Sequence, residues 1–111
     1  MQINTNFVSN VDVTEPRFTI NNKSQKIFVT AKEGNFIDKD KILLKKNVIF
    51  ESDNFVIKTD NVVFDRIKET ASSNSKSIFI SENTKINSEG FNIYDNGNII
   101  KFFGKSKVVL K

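Results

Sequence analysis

Hydrophobic and polar residues alternate in short runs along most of the chain, which is the pattern of half-buried β-strands. The fullest example is near the C-terminus, where Phe91 and Ile93 alternate with polar residues before the sequence Asp-Asn-Gly-Asn at 95–98. The alternation resumes after that turn at Ile100, Phe102, Val108 and Leu110. Because Asn-Gly tolerates the positive φ angles of a type I′ turn, this stretch predicts a β-hairpin.

The same pattern predicts further strands at 17–20, 26–31, 42–50, 55–57, 62–64, 77–81 and 85–94. Ile57 and Val62 have opposite parity, which predicts a bulge or corner at Thr59-Asp60-Asn61. Gly90 similarly indicates a bulge or a close backbone approach. The stretch 67–76 is the most polar one and is predicted to be a mobile loop at one end of the sheet.

No segment shows sustained helical periodicity, so the chain is predicted to be all-β. A weak repeat supports this interpretation, because an apolar pair followed by aspartate recurs at Asp38, Asp65 and Asp95. The spacing of about 30 residues lies in the range of stacked supersecondary units. Its 111 residues suit one domain, with a lead-in at 1–15 that is part disordered and part loose edge strand, and a folded domain at 16–111.

The composition excludes several kinds of chemistry. The chain has no cysteine and no histidine, which removes thiol nucleophiles, imidazole bases and Cys/His metal sites. We therefore expect no metal and no cofactor. The net charge of +4 at pH 7 suits an anionic partner, either nucleic acid, a membrane surface or an anionic lipid. No apolar run approaches the length that a membrane-spanning helix needs.

Carboxylates are the remaining conventional catalytic groups. Six of them fall at predicted turns, where an Asp side chain caps its own backbone: Asp38, Asp40, Asp53, Asp60, Asp65 and Asp95. We expect no catalytic residue and no enzyme activity, with a glycosidase-like carboxylate pair as the alternative.

Lysines are dense at two places, Lys39, Lys41, Lys45 and Lys46, and then Lys101, Lys105 and Lys107. Solvated charges that protect strand edges are one explanation, and a rim that attracts phosphate is the other. The positive charge and eleven phenylalanines also raise a nucleic-acid-binding barrel. The phenylalanines fall mainly on inward faces, however, so we expect no nucleic-acid partner.

From Glu15 to Leu110 the sequence resembles the LptC family, the periplasmic part of the bacterial lipopolysaccharide exporter. The matching landmarks are Pro16-Arg17-Phe18, Val29-Thr30-Ala31, Lys46-Asn47-Val48, Thr59-Asp60-Asn61, Ser88-Glu89-Gly90-Phe91 and Gly104. Each motif is short, and the resemblance depends on their order and spacing over the whole domain.

The resemblance implies a curved antiparallel β-jellyroll, folded like a taco, whose hydrophobic groove holds the acyl chains of lipopolysaccharide. Eleven phenylalanines with abundant isoleucine and valine suit such a lining. The expected groove residues are Phe18, Ile20, Ile27, Val29, Ile42, Leu44, Val48, Phe50, Phe55, Ile57, Val62, Phe64, Ile78, Ile80, Phe91, Ile93 and Phe102.

The resemblance also implies that such domains join end to end through open strand edges. The edge at Arg17, Phe18 and Thr19 would meet the permease jellyroll domains of the exporter. An edge with Gly90, Val108, Val109 and Leu110 would meet an LptA-like protein. Copies of the chain are a further possible partner through the same edges. A member of this family would lie in the periplasm, anchored to the inner membrane by a helix that precedes the domain.

We therefore expect a non-enzymatic lipid conduit that passes lipopolysaccharide toward a bridge of similar domains. Two alternatives share the same fold. One is an LptA-like soluble bridge component, and the other is a purely structural assembly module whose interior is filled by its own side chains.

Overall fold

The structure, a computed structural model, describes residues 11–21, 23, 25–104 and 107–110, and these form antiparallel β-strands without a helix. The strands are β1 (Val11–Thr14), β2 (Arg17–Asn21), β3 (Lys26–Thr30), β4 (Glu33–Phe36), β5 (Lys41–Glu51), β6 (Phe55–Asp65), β7 (Thr70–Ser73), β8 (Ser77–Ser81), β9 (Thr84–Ser88), β10 (Gly90–Tyr94), β11 (Ile99–Phe103) and β12 (Lys107–Leu110).

Two long strands, β5 and β6, each run through both halves of one folded sheet. The first half of β5 and the second half of β6 lie in sheet I, whose order is β1-β4-β5-β6-β7-β10-β11. The other halves of β5 and β6 lie in sheet II, whose order is β2-β3-β5-β6-β8-β9-β12. The two halves face each other, so inward side chains of both meet in one core.

The chain passes between sheets I and II along one side of the molecule, which we call the crease. In the described part of the chain the crossings lie at 15–16, 31–32, 46–47, 60, 74–76, 89 and 104. Sharp bends there require left-handed backbone, and positive φ angles occur at Glu15, Lys46, Asn47 and Gly104. Main-chain hydrogen bonds join neighbouring crossings, including Glu15 N to Lys32 O at 2.9 Å and Lys32 N to Lys46 O at 3.0 Å.

The irregularity predicted near Thr59-Asp60-Asn61 lies in this crease, but the extra residue belongs to the partner strand. Lys45 pairs with Asn61 and Val48 pairs with Thr59, so Lys46 and Asn47 together face one residue of β6. The buried positions of β6 are odd-numbered up to Thr59 and even-numbered from Val62 to Phe64. This is the change of parity that the sequence shows between Ile57 and Val62. The β5 bulge turns both strands from one sheet into the other.

Opposite the crease, hairpin turns form two rows that we call the lips. Lip I consists of the sheet I turns at 37–40, 66–69 and 95–98, and lip II consists of the sheet II turns at 52–54 and 82–83 together with Asn21 at the end of β2. The three repeated aspartates each lie at a turn of lip I. The predicted type I′ turn is confirmed, because Asn96 and Gly97 have positive φ and Asn98 N donates to Asp95 O at 2.9 Å.

The predicted mobile loop at 67–76 is wrong, because Thr70–Ser73 form β7 in the middle of sheet I. β7 pairs with β6 on one side and with β10 on the other. Its inward residues are Ala71 and Ser73, and both are buried. The strand has no large apolar residue, so its alternation is invisible to a hydrophobicity pattern.

The predicted fold class is confirmed: the chain is a curved antiparallel β-jellyroll and not a closed barrel. Val11–Thr14, which the sequence placed in the lead-in, pair with β4 as an edge strand of sheet I. Residues 1–10 lie outside the described part of the chain, so the expectation of partial disorder there stays a prediction.

Candidate lipid-binding interior

The space between sheets I and II is filled mainly by aliphatic and aromatic side chains. Among the described residues, twelve large side chains are fully buried: Phe50, Phe64, Phe91, Ile20, Ile27, Ile42, Leu44, Ile57, Ile93, Val29, Val48 and Val62. All twelve belong to the set of groove residues expected from the sequence. In this structure they pack against one another, so the protein's own side chains fill the apolar interior.

Phenylalanine rings connect the two sheets at successive points along the interior. Phe18 of sheet II lies 4.8 Å from Phe64 of sheet I, measured between ring centroids. Phe50 meets Phe91 edge-on at 5.5 Å, and Phe102 meets Phe79 edge-on at the same distance. Phe18 and Phe102 are only partly buried, and they contact the fully buried cluster from its two sides.

Two of the expected groove residues do not face the interior. Ile78 and Ile80 of β8 pair with Lys58 and Val56, which are on the outer face of sheet II. Phe79, between them, pairs with the fully buried Ile57 and points inward. The sequence Ser-Ile-Phe-Ile-Ser is apolar at three successive positions, so its alternation fits either face, and only the pairing with β6 decides between them.

Phe36 and Ile100 also pack against the core, although the sequence did not select them for the groove. Ile100 pairs with the fully buried Ile93 of β10, and Phe36 pairs with the fully buried Ile42 of β5. Ile100 alternates with Phe102 within β11, so the sequence contained its signal. Phe36 is placed by its pairing with Ile42 across the turn.

A hydrogen bond joins the two lips on the side opposite the crease. The backbone N–H of Asn21, at the end of β2, donates to Oε1 of Glu69 at 2.7 Å. Glu69 belongs to lip I and has a positive φ of 53°. This left-handed backbone places a carboxylate of sheet I on a main-chain donor of sheet II, so the contact closes the interior at this position.

Open strand edges lie at both ends of the folded sheet. Within the described residues, β1 pairs with β4 alone and β2 pairs with β3 alone. At the other end, β11 pairs with β10 alone and β12 pairs with β9 alone. Arg17, Phe18 and Thr19 therefore lie on an edge strand, and so do Val108, Val109 and Leu110.

Gly90, which the resemblance assigned to a docking edge, is not on one. It lies in β10, which has β7 on one side and β11 on the other. A Cβ atom added at Gly90 would lie 2.4 Å from the carbonyl oxygen of Ser73 and 2.6 Å from the ring of Phe103. Gly90 is therefore the close backbone approach that the sequence predicted, and its position is at the crease.

The aspartates with described hydrogen bonds serve the turns. Asp38 Oδ1 accepts the backbone N–H groups of Asp40 and Lys41 at 2.8 and 2.9 Å. The bond from Asp40, together with nearby lysines, lowers the pKa of the Asp38 carboxyl below its ordinary value. Asp65 Oδ1 accepts the N–H groups of Ile67 and Lys68 in the same manner.

Asp60 is an exception to the expected turn positions, because it lies within β6 opposite the bulge. Within the described residues, no group of three or more Asp and Glu side chains is arranged to hold a metal ion.

The comparison with protein families agrees with the fold and the apolar interior. Residues 7–111 match the family described as lipopolysaccharide-assembly, LptC-related. The chain belongs to this LptC-related family. A protein of Rickettsia prowazekii (strain Madrid E), named only as uncharacterised, is 28% identical over 102 residues, which cover 90% of this chain and 50% of that protein. The chain thus spans about half the length of the relative that it matches.

The lysines of this LptC-related chain are distributed over distinct surfaces. Lys39 and Lys41 lie at lip I, whereas Lys45 and Lys46 lie at the crease, where Lys46 forms an exposed ion pair with Glu33. Lys101 lies on the outer face of sheet I. The side chains of Lys105 and Lys107 are outside the described part of the structure.

Two clefts of about 540 Å³ each lie outside the apolar core. One is at the crease, with a mixed lining that includes Lys58, Asp60, Lys76 and Glu89. The other is on the outer face of sheet I and includes Lys41, Lys68 and Lys101. No helix in the described residues is long and apolar enough to span a membrane.

Proposed function

We propose that this chain is a lipid-binding domain of lipopolysaccharide export, and that acyl chains are received between sheets I and II. The observation that carries the proposal is the asymmetry between crease and lips. At the crease the two sheets are joined covalently and by main-chain hydrogen bonds, whereas at the lips the backbone N–H of Asn21 donates to the side-chain carboxylate of Glu69. The sheets can therefore separate at the lips while β5 and β6 hold them together.

The energetics of acyl binding suit such an interior. Each CH₂ group that moves from water into an apolar environment contributes about 0.8 kcal/mol. An acyl chain that enters between the sheets replaces side-chain contacts with similar contacts to hydrocarbon, so the gain comes mainly from the lipid's own surface. No specific polar contact is required, and none of the twelve fully buried large side chains is polar.

The open edges support docking by strand addition. Unpaired N–H and C=O groups on an edge strand can extend the sheet into a neighbouring protein. In this proposal β1 and β2 receive the permease jellyroll domains of the exporter, and β11 and β12 receive an LptA-like protein. The domain would act in the periplasm at the inner membrane, with no enzymatic step and no cofactor.

A second candidate function is favoured by the filled core. Because twelve large side chains are fully buried, the same fold would also serve as a structural assembly module that never admits lipid. The two functions differ in whether the interior contacts lipid in the assembled exporter.

Photocrosslinking separates the two candidates. Benzoylphenylalanine in place of Phe18 or Phe102, which face the interior but are partly exposed, should capture lipopolysaccharide. The same residue at Phe28 is the matched control, because Phe28 is 52% exposed on the outer face of sheet II. Capture from Phe28 or from the crease position Asn47, without capture from Phe18 and Phe102, would contradict an acyl-binding interior.

A further inference from the structure

The outer face of sheet I carries a cleft of about 540 Å³ that the interior does not explain. We call it the outer trough and define it by Lys41, Lys68, Thr70, Ser72, Tyr94 and Lys101. These side chains belong to β5, the β6–β7 turn, β7, β10 and β11. The trough therefore extends from β5 to β11 on the side of sheet I that faces away from the core.

The depth of the trough follows from the small side chains of β7. Ser72 pairs with Val63 on one side and with Asn92 on the other, and Asn92 pairs in turn with Lys101. In the next row, Asp65 pairs with both Lys41 and Thr70. Serine and threonine in the middle are flanked by longer side chains on the neighbouring strands, so β7 forms a floor between two walls.

The exposed charge of the trough is positive. Lys41, Lys68 and Lys101 face the cleft, and among the described residues that line it Asp65 alone is acidic. Asp65 is only 8% exposed, and its Oδ1 already accepts the N–H groups of Ile67 and Lys68. Lysine ammonium groups are point charges that bind phosphate, and hydroxyls such as those of Thr70 and Ser72 add hydrogen bonds.

The width of the trough indicates the size of its ligand. Lys41 on β5 and Lys101 on β11 are separated by four strand spacings, or about 19 Å between backbones. A single phosphate cannot contact both Lys41 and Lys101. A head of more than one sugar unit, with phosphates at separate ends, can meet both lysines while its hydroxyl groups cover Thr70 and Ser72.

The trough is continuous with the entrance to the interior. Lys41, Lys68 and Tyr94 lie at or next to the turns of lip I. Exposed apolar side chains occupy the same lip, including Ile37, Ile67, which is 64% exposed, and Ile99. An amphiphile whose tails enter at the lips would bend over these apolar residues and bring its head onto the outer face of sheet I.

We propose that the outer trough binds the phosphorylated sugar head of the amphiphile whose acyl chains lie between the sheets. This inference rests on the proposed function, because it assigns the head of the same lipid to a separate surface. It places the head outside the jellyroll, where water and counterions remain accessible, while the tails are inside.

The test compares two triple variants that remove the same charge. One carries Lys41→Gln, Lys68→Gln and Lys101→Gln in the trough. The matched control carries Lys26→Gln, Lys32→Gln and Lys58→Gln, three exposed lysines outside the trough. The dissociation constants of intact lipopolysaccharide and of phosphatase-treated lipopolysaccharide are measured for both variants and for the wild type.

The trough variant should bind intact lipopolysaccharide about tenfold more weakly than the wild type, which is the loss of one net charge-assisted contact. The control variant should stay within about twofold of the wild type, since general charge attraction is screened by salt. Phosphatase-treated lipopolysaccharide should bind all three proteins equally. Equal losses in both variants, or an equal loss toward both lipids, would overturn the assignment.

A second measurement separates the trough from the interior. Deacylated lipopolysaccharide, which retains its phosphorylated sugars, should shift the backbone amide resonances of Thr70, Ser72 and Lys101. If these shifts occur but the crosslinker at position 102 captures no lipid, the result supports the trough as a head-binding site and contradicts the acyl-binding function. If inorganic phosphate alone produces the same shifts, the trough is an anion site and the proposed sugar head is wrong.

Discussion

At the residue scale, steric room at the crease depends on glycine. The crossings bring main-chain atoms of neighbouring strands close together, and Gly90 is where β10 passes the end of β7. Its nearest neighbour is a backbone carbonyl, that of Ser73, which cannot move without displacing β7. Gly34 is also crowded, but there the nearest atom is Cδ1 of Ile42, the flexible end of a side chain.

Gly90→Ala should therefore destabilise the fold by about 1–3 kcal/mol, the usual cost of overpacking. Gly34→Ala should cost less, because the Ile42 side chain can rotate away from the added methyl group. Urea unfolding followed by circular dichroism measures both values. Equal losses at the two glycines would show that the Ser73 carbonyl does not limit the space at Gly90.

At the element scale, the bulge in β5 turns the two longest strands from sheet I into sheet II. Lys46 and Asn47 both have left-handed backbone, with φ of 65° and 56°. Asparagine tolerates this conformation, whereas lysine adopts it at a cost of about 1–2 kcal/mol. Lys45, one residue earlier, has no positive φ and pairs regularly with Asn61. Lys46 must therefore adopt a left-handed backbone, whereas the adjacent Lys45 does not.

Lys46→Gly should leave stability unchanged or raise it by about 1 kcal/mol, because glycine relieves the left-handed strain. The exposed ion pair of Lys46 with Glu33 contributes little and will not reverse this sign. Lys45→Gly should instead lower stability by about 0.5–1 kcal/mol, since it only adds freedom to the unfolded chain. Equilibrium unfolding in urea measures both, and a loss at Lys46 as large as that at Lys45 would contradict the strained bulge.

At the scale of the whole molecule, the jellyroll is a folded sheet held firmly along one side. Main-chain hydrogen bonds continue across the crease, while the lips meet through contacts such as the bond from Asn21 to Glu69. In the proposed function, lipid entry requires relative movement of the lips, whereas partner docking at the sheet ends requires none. The two activities proposed for the domain use different parts of the fold.

A covalent tether between the lips should block lipid uptake. Asn21→Cys and Glu69→Cys, joined by a flexible bismaleimide, should reduce lipopolysaccharide binding at least about tenfold relative to the same protein without the tether. The control tether joins Lys39→Cys and Arg66→Cys, two turns of lip I that already share a hydrogen bond from Arg66 Nε to Lys39 O. Uptake that is equal with both tethers would show that lipid does not enter through the lips.

The amino-acid sequence by itself determined the strand class, the type I′ turn at Asn96-Gly97, the close approach at Gly90 and the members of the fully buried core. These features depend on local periodicity and backbone preference, which residues close together in the chain determine. Only the tertiary structure decided that polar Thr70–Ser73 form a central strand, and that Ile78 and Ile80 face outward while Phe79 faces inward. Neither small residues nor unbroken apolar runs show an alternation that identifies the inward face. Their orientation follows from the strands with which they pair. The outer trough was hidden for the same reason: its three lysines lie far apart in the chain, and only the strand order of sheet I places them along one cleft of its outer face.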